Sequence, residues 1–400
     1  MAVAPVSPET GHPPSPPFSA GTQTFGLALP PAGLTVHSEV PGLREAVTAL
    51  VHPLFEVTDT VSPGASRLWV VPRAGRALPG EQELLTAPQM LLHPDGPRLA
   101  VLESSHERTV VVRHGEQDSA PLVITARPDA REMTVEMPDG LSLSVRALVR
   151  LLGSLLGTQL IRRGAVFLHG SAVAADGASI VMLGPKHRGK SSLAFLAVTL
   201  CGADFVSDDT LVVWADHKAA PPVLRGWPKR VGIGTALLAG HPARGAFERA
   251  RLRRRRQGDL RTAREGTWST GPESRKRLFT DLDEFTALTG ASIATGTRPA
   301  GIVLPRADRD RRGWRIEPVA DRAGALRDSV LAGGELRNYS DYLSLLSGPR
   351  PEPDVRAAVF GALDDLPCVT VEYGPDANAD FPRFWGEITA ALALPGREGR

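Results

Sequence analysis

Cysteine is scarce in this chain: 400 residues hold two, Cys201 and Cys368, far apart in the sequence. That argues against a disulfide framework and against a cysteine-rich metal site. Long hydrophobic runs are missing as well, since none reaches the roughly 18 to 20 residues that a membrane-crossing helix needs. The opening stretch, MAVAPVSPETGHPPSPPFSAG, has no basic segment followed by an apolar one, so no secretory signal is expected. Cytoplasm is therefore the default compartment, and no membrane partner is expected. Lysine is rare too. Only five of the 46 basic residues are lysines, and a rare lysine is a poor candidate for surface filler.

What is present reads as a globular protein. The apolar share is 42% and the charged share 22%, both ordinary, and 400 residues favour two domains. Residues 1–22 are rich in Pro, Ser and Gly and are expected to be disordered. Residues 23–150 read as a strand-rich domain. SRLWVVP, PRLAVLES, RTVVVRH, PLVITARP and MTVEMPDGLSLSV alternate with turn signals, and GLREAVTALVHPLF has helical spacing until it meets Pro53.

Residues 151–395 read as a second domain of alternating strands and helices. SVRALVRLLGSLLGTQLIRRG, about 144–164, is expected to be a helix ending at Gly164. AVFLHGSAVAADGASIVMLG reads as two strands around an Asp-Gly turn. KSSLAFLAVTLCGA reads as a helix stopped by Gly202, and DFVSDDTLVVWAD as strand, acidic turn, strand. Strand, glycine loop, helix, strand is the order of an α/β nucleotide-binding core.

Residues 241–277 interrupt this pattern. They carry 12 basic and 4 acidic residues, net +8, which leaves −6 for the rest of a +2 chain. A mobile loop or protruding helix is expected, either a solvated basic face or a dock for an acidic partner. The arginine run ARLRRRRQ (Ala250 to Gln257) holds no aromatic residue and no recognised nucleic-acid motif is present, so nucleic acid is not expected.

The chemistry concentrates at VMLGPKHRGKSS, which fits G-x-x-x-x-G-K-[ST] with Gly184, Gly189, Lys190 and Ser191 in the fixed places. The apolar strand before it and the helix after it supply the context that the motif requires. Gly184, Pro185, Lys186, His187, Arg188 and Gly189 would surround the phosphates, with backbone N–H groups at every one of these positions but Pro185, at the N-terminus of the helix carrying Ser191 and Ser192. Lys190 is expected to reach the β- and γ-phosphates and Ser191 to bind Mg²⁺. His187 stands where the loop ordinarily uses a glycine angle. One helix later come Asp208 and Asp209. One carboxylate can hold Mg²⁺ while the other takes a proton from an attacking hydroxyl. His169 ends an apolar strand fifteen residues before Gly184, and a hairpin would bring it near the loop.

FLHGSAVAADGASIVMLGPKHRGKSS followed closely by GADFVSDDTLVVW resembles the HPr kinase/phosphorylase family, whose nucleotide-binding core is related to that of phosphoenolpyruvate carboxykinase. The resemblance covers about residues 165–215. It implies an α/β fold, with a P-loop core of this type behind a strand-rich α+β N-terminal domain. It also implies that Asp208 is the base, that Asp209 assists the metal, and that His169 helps orient phosphate and carboxylate groups. A basic residue further along would neutralise the transferring phosphoryl group, with Lys276, Arg277 and Arg230 as candidates. Ser192 stands where dedicated HPr kinases carry an acidic residue, so neither phosphorylase activity nor HPr as substrate is expected. The chain is more similar to divergent members found with bacterial peptide-modification systems.

The resulting expectation is an ATP- (or GTP-) and Mg²⁺-dependent kinase acting on a hydroxyl, a serine of a peptide or protein. A kinase for a small metabolite such as an amino acid or sugar, and a non-catalytic nucleotide sensor with a basic partner-binding loop, are the alternatives. Self-association into a homo-oligomer stays open.

Overall fold

A computed structural model describes residues 21–60, 66–73, 89–91, 98–103, 108–113, 122–127, 132–138, 142–256, 277–319, 322–331 and 353–393. The Pro-rich start (residues 1–20) and residues 257–276 of the basic segment lie outside these. The chain is a mixed α/β protein with several sheets. Among the described residues no helix is long and apolar enough to cross a membrane.

The N-terminal strands build one nine-stranded sheet. They are β1 (Gln23–Leu29), β2 (Ala32–Ser38), β3 (Glu56–Thr58), β4 (Ser66–Pro72), β5 (Gln89–Leu91), β6 (Arg98–Glu103), β7 (Arg108–Arg113), β8 (Leu122–Arg127) and β9 (Glu132–Met137). Their order is β3-β1-β2-β4-β9-β8-β7-β6-β5. Alternation decides which face is buried: in β9, Met133, Val135 and Met137 point inward while Glu132, Thr134 and Glu136 do not. The helix Leu43–Val51 buries Leu43, Val47 and Val51, one every fourth residue, and stops before Pro53.

The helix Ser142–Arg162 is the central connector. LSLSV reads as a strand by its Leu/Ser alternation, yet Ser142 to Val145 begin this helix. The longer apolar pattern through Leu148, Leu151, Leu152, Leu155 and Leu156, all buried, has helical period and overrides the five-residue alternation. The helix also runs through positions 150 and 151, where the sequence suggests a domain division. Gln159 accepts from Gly33 N at 3.0 Å and donates to Gly33 O at 3.0 Å, tying the helix to the β1–β2 hairpin. Arg146 holds Asp281 through two hydrogen bonds of 3.0 and 2.8 Å. Buried side chains of the nine-stranded sheet, this helix and the helix Lys190–Cys201 form one contiguous core.

Behind that helix lie β10 (Val166–Leu168), β11 (Gly170–Ala175), β12 (Ala178–Leu183), β13 (Asp204–Ser207), β14 (Leu211–Trp214), β15 (Val223–Gly226), β16 (Val231–Gly234), β17 (Arg277–Thr280), β18 (Arg298–Ala307), β19 (Trp314–Pro318) and β20 (Cys368–Tyr373). A six-stranded sheet has the order β13-β11-β12-β18-β20-β19, in which β12, β18 and β20 run parallel. A three-stranded sheet, β10-β14-β15, lies beside it, and β16 pairs with β17. The strands of AVFLHGSAVAADGASIVMLG divide accordingly: β11 and β12 form the expected hairpin around Asp176-Gly177, and β10 joins the other sheet. β13 and β14 are likewise shared between the two sheets, so the acidic turn joins sheets rather than closing a hairpin.

Candidate active site

Three parallel strands end together at the glycine loop, the place where open α/β sheets offer a crevice to ligands. β12 runs directly into the loop. Ala307, the last residue of β18, donates its N–H to Arg188 O at 3.1 Å. Tyr373, the last residue of β20, points its hydroxyl at Gly189 O, 3.4 Å away. The loop side chains Pro185, Lys186, His187 and Arg188 are exposed, and His187 has φ +65, the left-handed angle expected of it. Gly189, at φ +99, opens the helix Lys190–Cys201, so that helix turns its N-terminus toward the loop.

Lys190 is buried, and its ammonium donates to Gly184 O at 2.7 Å and Pro185 O at 2.9 Å. In this arrangement the charge is held by the loop's own carbonyls. Burial pulls its pKa below the ordinary lysine value. The carboxylates of Asp208 and Asp209 oppose that shift, and the charges of Arg277 and Lys186 add to it. The acid pair, the loop lysine and Arg277 therefore share one electrostatic neighbourhood.

The two sheet crossings place the acids. The chain passes from β10 to β11 through His169, and from β13 to β14 through Asp208, Asp209 and Thr210. Because β10 pairs with β14 and β11 with β13, the crossings lie side by side. Asp209 N donates to Gly170 O at 2.8 Å. Asp208 is buried, and its Oδ1 accepts a 2.7 Å hydrogen bond from Ser171 Oγ, which is fully buried. Asp209 has φ +105, costly for a residue with a side chain. Strain of this kind gathers at functional sites.

Asp209 Oδ2 accepts from Lys229 Nζ at 2.7 Å. Burial works against its charged form, but the Lys229 ammonium, by charge and hydrogen bond, outweighs it. With His169 and Arg277 adding to the effect, the carboxyl is held below the usual range. His169 Nδ1 lies 3.2 Å from Asp209 O and 3.5 Å from Asp209 Oδ1. A carbonyl can only accept, so Nδ1 carries the proton. Nε2 is buried with no hydrogen-bond partner among the described residues. Burial and then the Lys190 charge lower the His169 pKa, against the pull of Asp209. At neutral pH the ring is uncharged, and its contact with Asp209 is a polar contact rather than an ion pair.

The fold thus brings His169, Lys190, Asp208 and Asp209 together. Among the basic candidates, Lys276 lies outside the described residues. Arg277 acts on Lys190 and Asp209 through its charge. Arg230 places its guanidinium 5.0 Å from the centre of the Phe279 ring. Two residues went unnoticed in the sequence, Ser171 and Lys229. Lys229 is placed by its neighbour Trp227, whose indole lies against Gly153 and Gly157 of the connecting helix. The same indole packs edge-on to Phe55 and Phe167, at 5.1 Å from each. Trp227 N also donates to Ser207 Oγ at 3.3 Å, and that hydroxyl donates to Thr210 O at 2.9 Å. The lysine loop and the acidic turn are therefore pinned to each other.

Among the described residues, no three His, Cys, Asp or Glu side chains gather into an all-protein metal cage. Mg²⁺ bound with a nucleotide requires none, because one or two carboxylates suffice beside phosphate oxygens and water. The hard oxygen donors Ser191 and Asp209 fit that ion. No protein-family model matches the chain, and no curated protein matches it.

Proposed function

We propose that the protein is an ATP- and Mg²⁺-dependent kinase of the HPr-kinase-like type, transferring the γ-phosphoryl group to a serine hydroxyl of a peptide or protein. The observation that carries the reading is the convergence of the glycine loop and Lys190 with the adjacent carboxylates Asp208 and Asp209. In this reading the backbone N–H groups of Gly184 and of Lys186 to Gly189 hold the phosphates, and Ser191 and Asp209 would hold Mg²⁺. When bound, that ion would supply charge neutralisation at the phosphate oxygens.

Asp208 acts on the acceptor. Ser171 fixes one carboxylate oxygen, which leaves Oδ2 to take the proton of the serine hydroxyl. The hydroxyl oxygen then bonds to the γ-phosphorus as the bond from that phosphorus to the β–γ bridging oxygen breaks, releasing ADP. Positioning and charge neutralisation account for most of the catalysis in such a transfer. His169, neutral at pH 7, orients the acidic turn through Asp209 O.

The test incubates the protein with Mg²⁺ and γ-labelled ATP, with serine-containing peptides or free serine, beside an Asp208→Asn variant. Label on a peptide from wild type only supports the reading. Label on free serine would make it a metabolite kinase. Nucleotide binding without label on any acceptor would favour a sensor, and no nucleotide binding would end the proposal.

A further inference from the structure

Lys229 is half-exposed, sits on a four-carbon stem and is paired with one oxygen of Asp209 at 2.7 Å. We infer that Lys229 is the cation that contacts the γ-phosphate, and that its pairing with Asp209 is the resting position of that ammonium. The inference rests on the kinase reading and names the basic group which that reading requires.

Three observations support it. First, the resting site is internally neutralised at two points. Lys190 lies on the loop carbonyls Gly184 O and Pro185 O, and Lys229 lies on Asp209. A triphosphate on the loop offers both ammonium groups a stronger anion than the ones they hold. Second, the base of the Lys229 stem is fixed, while its tip is half-exposed and held by Asp209 alone among the hydrogen bonds and ion pairs of the described residues. Trp227, two residues earlier, is wedged between Phe55, Phe167 and the glycines of the connecting helix, and Val231, two residues later, begins a paired strand. The ammonium can therefore swing from Asp209 to a neighbouring anion without moving the backbone. Third, the other basic groups nearby are less suited. Arg230 is engaged over Phe279, and Arg277 acts on Asp209 through its charge, without a hydrogen bond to it.

The swing also gives Asp209 a second role. While Lys229 holds Oδ2, that oxygen cannot serve a metal ion. Arrival of the phosphates draws the ammonium away and frees the carboxylate, so the nucleotide prepares its own ion site.

The experiment measures equilibrium affinities for ATP and ADP, in buffer with EDTA to remove divalent ions, for wild type and for Lys229→Met and Lys229→Arg. Both variants also go into an Asp209→Asn background, and melting temperatures confirm folding. A charge-assisted contact to the terminal phosphate predicts that Lys229→Met loses about tenfold or more in ATP affinity with ADP nearly unchanged. Lys229→Arg recovers part of the preference. The loss persists in the Asp209→Asn background, because it arises at the phosphate. Equal losses for ATP and ADP, a wild type that binds both alike, or a loss that vanishes in that background would overturn the proposal and leave Lys229 as a counter-ion. If wild type binds neither nucleotide, the kinase reading fails, and this inference fails with it.

Discussion

Ser171 Oγ donates a 2.7 Å hydrogen bond to Asp208 Oδ1 between neighbouring strands, at the level where both strand pairs change sheets. Ser171 is fully buried and Asp208 nearly so. Removing the hydroxyl leaves a buried carboxylate oxygen without its partner, which costs about 1.5–3 kcal/mol for a charged group. Ser171→Ala is therefore expected to lower phosphoryl transfer about tenfold or more, with KM for ATP little changed. Steady-state kinetics over a range of ATP concentrations check this. A variant with wild-type kcat would show that Asp208 does not depend on Ser171 for its aim.

Gly189 is constrained twice over. A methyl group there would collide with the Tyr373 hydroxyl, and the backbone angle of +99 disfavours any side chain. Gly189→Ala is expected to destabilise the fold and abolish nucleotide binding. Adding Tyr373→Phe relieves the worst of the steric part, leaving Cζ of the ring at 3.0 Å and Ala307 Cβ at 3.2 Å, so the double variant regains some thermal stability but little affinity. Thermal melts with and without ATP separate the two contributions. Tyr373→Phe by itself gives up only a long 3.4 Å hydrogen bond and is expected to be mild.

Much of this site was legible in the sequence because its chemistry is local. Gly184 through Ser191 lie in one unbroken run with a strand before and a helix after, and a loop that turns on backbone N–H groups is written in contiguous residues. Ser171 and Lys229 were harder to see because their roles are set by register. Ser171 meets Asp208 only through the irregular pairing of β11 with β13, where Ala172 faces Ser207. Lys229 meets Asp209 only because Trp227 is anchored on a helix more than sixty positions earlier in the chain. The scarcity of lysine was the available signal. Arg230 stood among the candidate cations with Lys276 and Arg277, and the Phe279 ring that its guanidinium faces comes from a distant strand. The start of the connecting helix was misread for a related reason, since a short alternation cannot reveal the longer helical period that follows it.

His169 gives the protein a pH-dependent stability whose sign follows from its lowered pKa. The unfolded chain binds a proton near the ordinary histidine value of about 6.5, and the folded chain binds it only at lower pH. Stability is therefore complete above that value and declines as pH falls toward the folded pKa. His37 and His241 are also lowered, chiefly by burial, and contribute with the same sign. Asp209 acts lower on the scale. Its depressed pKa gives stability above about pH 4 that is lost only in stronger acid. His169→Gln is expected to flatten, though not abolish, the fall in unfolding free energy between pH 7.5 and 5.5. Denaturant titrations at the two pH values measure it, and an unchanged slope would mean that His169 titrates alike in both states.

Two contacts on the connecting helix separate stability from function. Gln159 clasps Gly33 of the β1–β2 hairpin through paired 3.0 Å hydrogen bonds. Trp227 fills the space above Gly153 and Gly157, and its chain leads directly to Lys229. Gln159→Ala removes two hydrogen bonds, at a cost of about 1–3 kcal/mol. Trp227→Ala removes a half-buried indole and two aromatic contacts, near the lower end of the about 3–5 kcal/mol typical of such truncations. Both variants should melt earlier than wild type, but only Trp227→Ala releases the base of the lysine stem. Its ATP affinity is expected to fall toward that of Lys229→Met, while Gln159→Ala binds ATP as wild type does. Binding titrations well below both melting temperatures decide the matter. If the two variants lose affinity alike, the connecting helix acts on the site through stability alone, and the anchoring of Lys229 by Trp227 has no functional consequence.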